Sequence, residues 1–364
     1  MIPHFESYES LIEYIHKLDP VEYGKTRNFT NGAVTYLSPF ISRGIISTKI
    51  VYEIMIKRGF ELKQIESFVK ELCWRDYFQR VWQERNLDTE IKQAQTKQTF
   101  QDLPSVIQEK SLSIPFFNEQ IEQLEATGYL HNHVRMYLAS LICNIGQYYW
   151  KTPAQWMYYH LLDGDWASNA CSWQWVCGAN SQKMYVTSEE NITFFTKSTV
   201  SNSYLNRFHQ NPFETWIPDE WKNSIKQELK THLPKSKDLM LNNSLPTCIY
   251  NYYNIDPQWK KELKANRVLL LEPNIFEQYP VSDLCIQFLL TYAQWIDEIQ
   301  IFVGSFEEFQ SIHNSKEPIY FKEHPLNKHY QGIEEQRDWI VNSVHGYFPS
   351  FFAYWKVCTP FLKN

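Results

Sequence analysis

In Ser67-Phe-Val-Lys-Glu-Leu-Cys-Trp-Arg-Asp-Tyr-Phe78, residues Glu71, Trp74, Arg75 and Phe78 fall at i, i+3, i+4 and i+7 and so share one face of a helix. A carboxylate, an indole and a guanidinium converge on that face. Two readings fit: a ligand-facing surface, or a Glu71–Arg75 ion pair beside a half-buried Trp, worth a few tenths of a kcal/mol. The helical period continues on both sides of this stretch. From residue 7 to about 200 apolar residues recur at helical spacing, most plainly over 48–58, 64–85, 115–126, 130–149 and 153–162. Pro39, Pro104, Pro115 and Pro153 stand near helix starts. The first 210 residues therefore read as one all-helical domain.

The pattern changes further on. Residues 211–250 are rich in Pro, Asn, Ser and Lys and read as a linker or boundary. Beyond it, Arg267–Leu271, Ile299–Val303 and Pro318–Phe321 are short apolar runs, with a helical stretch at 281–296 between the first two. Strand–helix–strand alternation of this kind predicts a smaller α/β, Rossmann-like domain over 251–364. The fold class is thus mostly α, with an α/β appendage.

Composition limits the functions. The 364 residues are 43% hydrophobic and 21% charged, which is enough apolar surface for a substantial core. Aromatic residues reach 16%, with 13 Trp, and suit a flat ligand. A net charge of −6 argues against a strongly basic, non-specific nucleic-acid binder and leaves room for a local basic groove. No run of about 18 apolar residues occurs, and the start MIPHFESYESLIEY is polar and acidic, so a cytoplasmic protein outside the membrane is expected. Seven Cys without a C-x-x-C read as buried free thiols rather than a disulfide framework or metal cluster.

Three further segments carry candidate chemistry. In Val34-Thr-Tyr-Leu-Ser-Pro-Phe40, Ser38 reads as an N-cap with Pro39 at the first helical position, which turns the N–H groups of Leu37 and Ser38 outward toward phosphate or water. In Gly128–Met136, His131 and Arg135 share one helix face while Asn132 and Met136 share the next. A hydrogen-bonded core network fits these residues as well as a ligand does; no metal is expected, because no second His or carboxylate lies four residues away. Leu161–Trp175 sets Asp163, Asp165 and Asn169 among Trp residues in apolar surroundings. Buried carboxylates need a cation or they neutralise, and Arg135 is the candidate partner of Asp163. The acidic ladder and closing Glu of a calcium loop are absent.

Taken in order, TYLSPF, ELCWRDYF, LHNHVRM and DGDWASN…WQW resemble the helical FAD-binding domain of the DNA photolyase/cryptochrome family over about residues 20–200. The resemblance implies a U-shaped FAD, blue-light chemistry and a cavity for a flipped pyrimidine dimer. It places Tyr23, Thr35, Leu37, Ser38 and Arg75 on the diphosphate and ribityl side of FAD. Arg135 and Asp163 become an ion pair beside the isoalloxazine, Asp165 reaches its polar edge, and Asn169 faces N5. Glu71, Trp74, Asn132 and Met136 match lesion-contacting positions, and their types point to cyclobutane rather than (6-4) lesions. Arg27, Trp74, Asn132 and His133 fall at DNA-contacting positions. Trp173 and Trp150 match the first and second electron donors of the family's photoreduction chain.

Several features depart from the family's pattern. Residues 95–110 lack the third Trp of that chain, which leaves Trp156, Trp166 or a Tyr as terminal donor. His133 stands where cyclobutane-dimer photolyases carry a DNA-contacting Arg. Ser111–Pro115 lacks the family's usual Gly-containing stretch. The α/β-like domain follows the helical part, whereas the family's antenna domain precedes it. The expected function is FAD-dependent, blue-light-driven repair of cyclobutane pyrimidine dimers in DNA. The alternative is a cryptochrome-like photoreceptor that signals to a protein partner, for instance through 251–364.

Overall fold

Helices and one parallel sheet build the structure, a computed structural model that describes residues 2–181, 183–201, 203–236 and 238–362. Two compact units form, each from separated stretches of chain. The first comprises Glu22–Val34 and Arg85–Leu229, the second Ile2–Val21, Thr35–Glu84 and Lys230–Asn364. Residues 211–229 of the expected linker thus belong to the first unit and 230–250 to the second.

The first unit holds the helices Pro115–Thr127, Asn132–Ser140, Lys151–His160, Trp166–Val176, Glu189–Thr196 and Ser203–Gln210. Pro115 starts its helix at a position where the missing N–H costs nothing, and Gly128 ends it in the left-handed conformation, φ 66°. The predicted helix at 130–149 is shorter than expected. Asn132–Ser140 passes into a π-turn, Leu141–Ile145, and stops at Gly146. The core is aromatic: Trp150, Trp156, Trp166, Trp221, Tyr137, Tyr148 and Tyr158 are fully buried. A short antiparallel ladder pairs Leu103–Pro104 with Ser224–Ile225, strands that a helical period does not signal.

In the second unit, helices Tyr8–Lys17, Ser38–Ser42, Thr48–Lys57 and Leu62–Glu84 accompany a five-stranded parallel sheet. Its strands are β1 (Thr247–Tyr250), β2 (Asn266–Leu271), β3 (Gln300–Val303), β4 (Ile319–Lys322) and β5 (Ile333–Glu335), in the order β3-β2-β1-β4-β5. Every residue of β1 and β2 is buried, as parallel strands covered on both faces require. The core beside them contains Ile249, Val268, Leu270, Phe306, Phe309, Phe321 and Tyr330. The strands expected from the apolar runs at 267–271, 299–303 and 318–321 are present, as is the intervening helix, Asp283–Ala293. Among the described residues all seven Cys are buried and free, and no helix is long and apolar enough to cross a membrane.

Candidate functional site

In the first unit the turn Asp163-Gly164-Asp165 and the helix after it set the polar groups. Gly164 is required there, because a Cβ would lie 2.9 Å from the carbonyl oxygens of Leu161 and Tyr158. Asp165 is the N-cap of Trp166–Val176: its Oδ1 accepts from the Ala167 N–H at 3.1 Å and its Oδ2 from the Ser168 hydroxyl at 2.9 Å. One turn on, Asn169 donates through Nδ2 to the Ala154 carbonyl at 2.8 Å, which fixes its amide plane. Asp163 accepts from Arg135 in fork geometry, 3.1 Å from Nη1 and 3.0 Å from Nη2, and Arg135 Nε donates to the Leu130 carbonyl at 2.8 Å. The expected pairing of Arg135 with Asp163 is therefore present, in the bidentate form that gives most direction.

Asn132 opens the helix Asn132–Ser140 and is exposed; Met136, one turn on, is half-buried. The N-cap of this helix is His131, whose Nδ1 accepts from the His133 N–H at 3.2 Å. His133 packs edge-on to Tyr137 and 4.6 Å from Phe195, ring centre to ring centre. Burial, and then the charge of Arg27, lower its pKa to about 4. It lacks at neutral pH the permanent charge and the forked donor geometry that an Arg would bring to a phosphate. Arg27 Nη1 donates to the Gly24 carbonyl at 3.1 Å, and the Arg27 N–H donates to the Tyr23 carbonyl at 2.9 Å. Trp150 is the residue before Lys151–His160 and is fully buried; Trp173, on Trp166–Val176, is nearly so.

The second unit brings Thr35, Leu37, Ser38 and Arg75 together. Thr35 Oγ1 accepts from the Leu37 N–H at 3.3 Å, and Arg75 Nη2 donates both to the Ser38 carbonyl and to the Ser42 hydroxyl. Ser38 is not the N-cap expected from the sequence. Leu37 holds that position, with no side-chain cap, and Ser38 is the first residue of a five-residue helix. Just before it, Tyr36 takes a left-handed φ of 54°, and the helix starts one residue earlier than expected. Among the described residues no carboxylate pairs with Arg75, so its charge is met only by neutral oxygens. A guanidinium held in this way suits an added anion such as a diphosphate.

Glu71 and Trp74 lie on Leu62–Glu84 in the same unit, both half-buried. The indole of Trp74 is covered by a ring that sequence reasoning missed. Phe351, from the helix Phe351–Cys358, stacks on it with centroids 3.9 Å apart and planes 10° from parallel. The signal for this contact was weak, since the apolar run FFAYWKVC gives a helix without saying what it covers.

Residues 68–252 match the family described as the FAD binding domain of DNA photolyase. A deoxyribodipyrimidine photo-lyase of Alkalihalophilus pseudofirmus is 24% identical over 219 residues, covering 57% of this chain and 46% of that protein. One from Thermus thermophilus is 32% identical over 148 residues, 39% of this chain and 34% of that one. A cryptochrome DASH of Danio rerio is 28% identical over 169 residues, 43% and 32% of the two chains. The chain spans less than half the length of these curated relatives.

Proposed function

This chain belongs to the photolyase/cryptochrome family through its FAD-binding domain, and we propose that within the family it acts as a blue-light photoreceptor of the cryptochrome kind, without repair of cyclobutane pyrimidine dimers. Bound FAD supplies a ring that absorbs blue light and exchanges single electrons. Within the second unit Arg75, with Thr35, Leu37 and Ser38, would suit a diphosphate; within the first, Arg135, Asp163, Asp165 and Asn169 make a polar wall that would suit an isoalloxazine. The Arg135–Asp163 pair orients that polar wall, and the N-cap bonds of Asp165 keep its carboxylate from turning away.

The observation that carries the choice is the stack of Phe351 on Trp74. A flipped base would have to displace Phe351 to use that face, adding to the few kcal/mol that flipping already costs. Neutral His133 weakens the grip on phosphate as well. A second reading, repair of cyclobutane dimers in DNA, is favoured by Asn169 in place of a carboxylate and by the set Glu71, Trp74, Asn132 and Met136. The deciding experiment uses flavin-loaded, photoreduced protein and a dimer-containing oligonucleotide. Intact dimers after blue light support the photoreceptor; light-dependent return of thymines overturns it in favour of repair. A protein that takes up no FAD overturns both.

A further inference from the structure

The helix Ser38–Ser42 has five residues and no side-chain cap at Leu37, far below the ~12–15 residues that an isolated helix needs in water. It nevertheless supplies both groups that meet Arg75, the Ser38 carbonyl and the Ser42 hydroxyl. What fixes it lies outside it, in the stretch Lys230–Asn364 of the same unit. Phe40, fully buried, meets Phe288 and Tyr292 edge-on, with ring centres 5.4 and 5.1 Å away, and both rings belong to the helix Asp283–Ala293.

The residue that ends the helix makes a second anchor. Arg43 is 0% exposed and lays its guanidinium 3.6 Å from the centre of the Tyr252 ring. Its Nη1 donates to the Tyr252 carbonyl at 3.3 Å, and its own carbonyl accepts the Ile255 N–H at 3.0 Å. Gly44 follows with φ 66°. A Cβ there would lie 2.6 Å from the Tyr253 carbonyl oxygen and 3.0 Å from the Asn254 Cα, so only Gly allows this approach. The receiving turn is tied down: Asn251 and Asn254 exchange both backbone bonds, at 3.1 and 3.0 Å, and Asn251 Nδ2 donates to Asn327 Oδ1 at 3.0 Å. That turn leaves the carboxyl end of β1 beside β4, where the strand order reverses. Open parallel sheets take ligands at this place. Here the chain's own Arg43 is held there.

We propose that the parallel sheet positions the diphosphate seat: Arg43 and Gly44, docked on Tyr252–Ile255, hold Ser38–Ser42 in the conformation that Arg75 needs. The proposal rests on the reading of Thr35, Leu37, Ser38 and Arg75 as the seat of the FAD diphosphate. Arg43 and Tyr252 are positioning residues and act through Ser38 and Ser42. The apparent affinity of a site scales with the fraction of molecules in which it is formed, so a loosened dock lowers FAD affinity while the residues of the seat stay the same. Linkage makes the effect mutual: FAD that selects the formed seat must tighten the dock. The α/β part of the chain is then a determinant of cofactor binding rather than an appendage.

Titration of the full chain with FAD, followed by flavin fluorescence, tests this. Tyr252→Leu keeps an apolar side chain and removes the ring face; it should weaken FAD binding about 10-fold, the equivalent of a desolvated cation–π contact. Tyr252→Phe keeps the face and should bind FAD as the wild type does. Phe309→Leu, in the core beside the sheet, should lower the unfolding midpoint and leave FAD affinity unchanged. Hydrogen exchange on the wild type gives a readout that needs no variant. FAD should slow the Ile255 amide, bonded to Arg43, more than the Phe309 amide, bonded to Ser305. Should Tyr252→Leu fail to fold, the exchange measurement alone decides. Equal FAD affinity in Tyr252→Leu and the wild type overturns the proposal. So does a loss in Phe309→Leu as large as in Tyr252→Leu, which would be general loosening, and so does equal slowing of the two amides. Each of these results leaves the flavoprotein reading standing, whereas a wild type that takes up no FAD overturns that reading and this proposal together.

Discussion

Arg135 has every edge of its guanidinium engaged, two nitrogens on Asp163 and the third on the Leu130 carbonyl. The carboxylate is the more buried partner, 6% exposed against 19% for the Arg side chain. Arg135→Ala leaves that carboxylate without its cation and should cost about 3 kcal/mol in urea unfolding. Arg135→Lys, which keeps charge but loses the fork, should fall between. His131 and His133 give the same region a pH response. Burial lowers both from 6.5 to about 4 in the folded chain, so unfolding takes up protons between those values. Stability contributed by these neutral rings is fully present above pH 6.5 and is lost as pH falls toward 4. Urea midpoints at pH 7 and pH 5 should differ less in His133→Gln than in the wild type. The Arg135–Asp163 contact was legible in the sequence because a carboxylate in apolar surroundings demands a cation. The neutrality of His133 was not, since it depends on Phe195, far along the chain, as well as on Arg27.

At the level of elements, capping and aromatic contact govern the site. Asp165→Ala removes the N-cap bond to Ala167 and should lower stability by about 1 kcal/mol, read from the thermal or urea midpoint. Asp165→Asn, still a good cap, should lose much less. On Leu62–Glu84, Phe351→Ala should uncover the Trp74 indole. Its expected signature is a red shift of tryptophan emission, with a stability loss of about 3 kcal/mol from the cavity. An unshifted spectrum would mean that the helix Phe351–Cys358 re-closes over the ring. Helices with strong periods, such as Thr48–Lys57 and Pro115–Thr127, could be read almost to their ends. The N-cap at Leu37 could not, because no side-chain cap marks it. Of the sheet, β2, β3 and β4 announced themselves as apolar runs. β1, at Thr247–Tyr250, hid behind a Pro- and Ser-rich approach, and β5 has a single apolar residue, Ile333, among its three.

Over the whole molecule, reading in chain order captured the two kinds of structure but could not show how distant stretches group. Thr48 and the backbone N–H of Ile340 both donate to Asp76, at 2.7 and 2.9 Å, joining three widely spaced parts of one unit around a buried carboxylate. Arg43, also buried, lays its guanidinium 3.6 Å from the centre of the Tyr252 ring. Such contacts have no local signature, because their partners lie hundreds of residues apart or on different elements. Their consequence falls on the order of events during synthesis. The helices at Ser38–Ser42, Thr48–Lys57 and Leu62–Glu84 emerge from the ribosome long before the strands they must join, which at about 5–20 residues per second leaves them waiting roughly ten seconds or more. In that interval the apolar side of the nascent segment is a natural client for a holding chaperone.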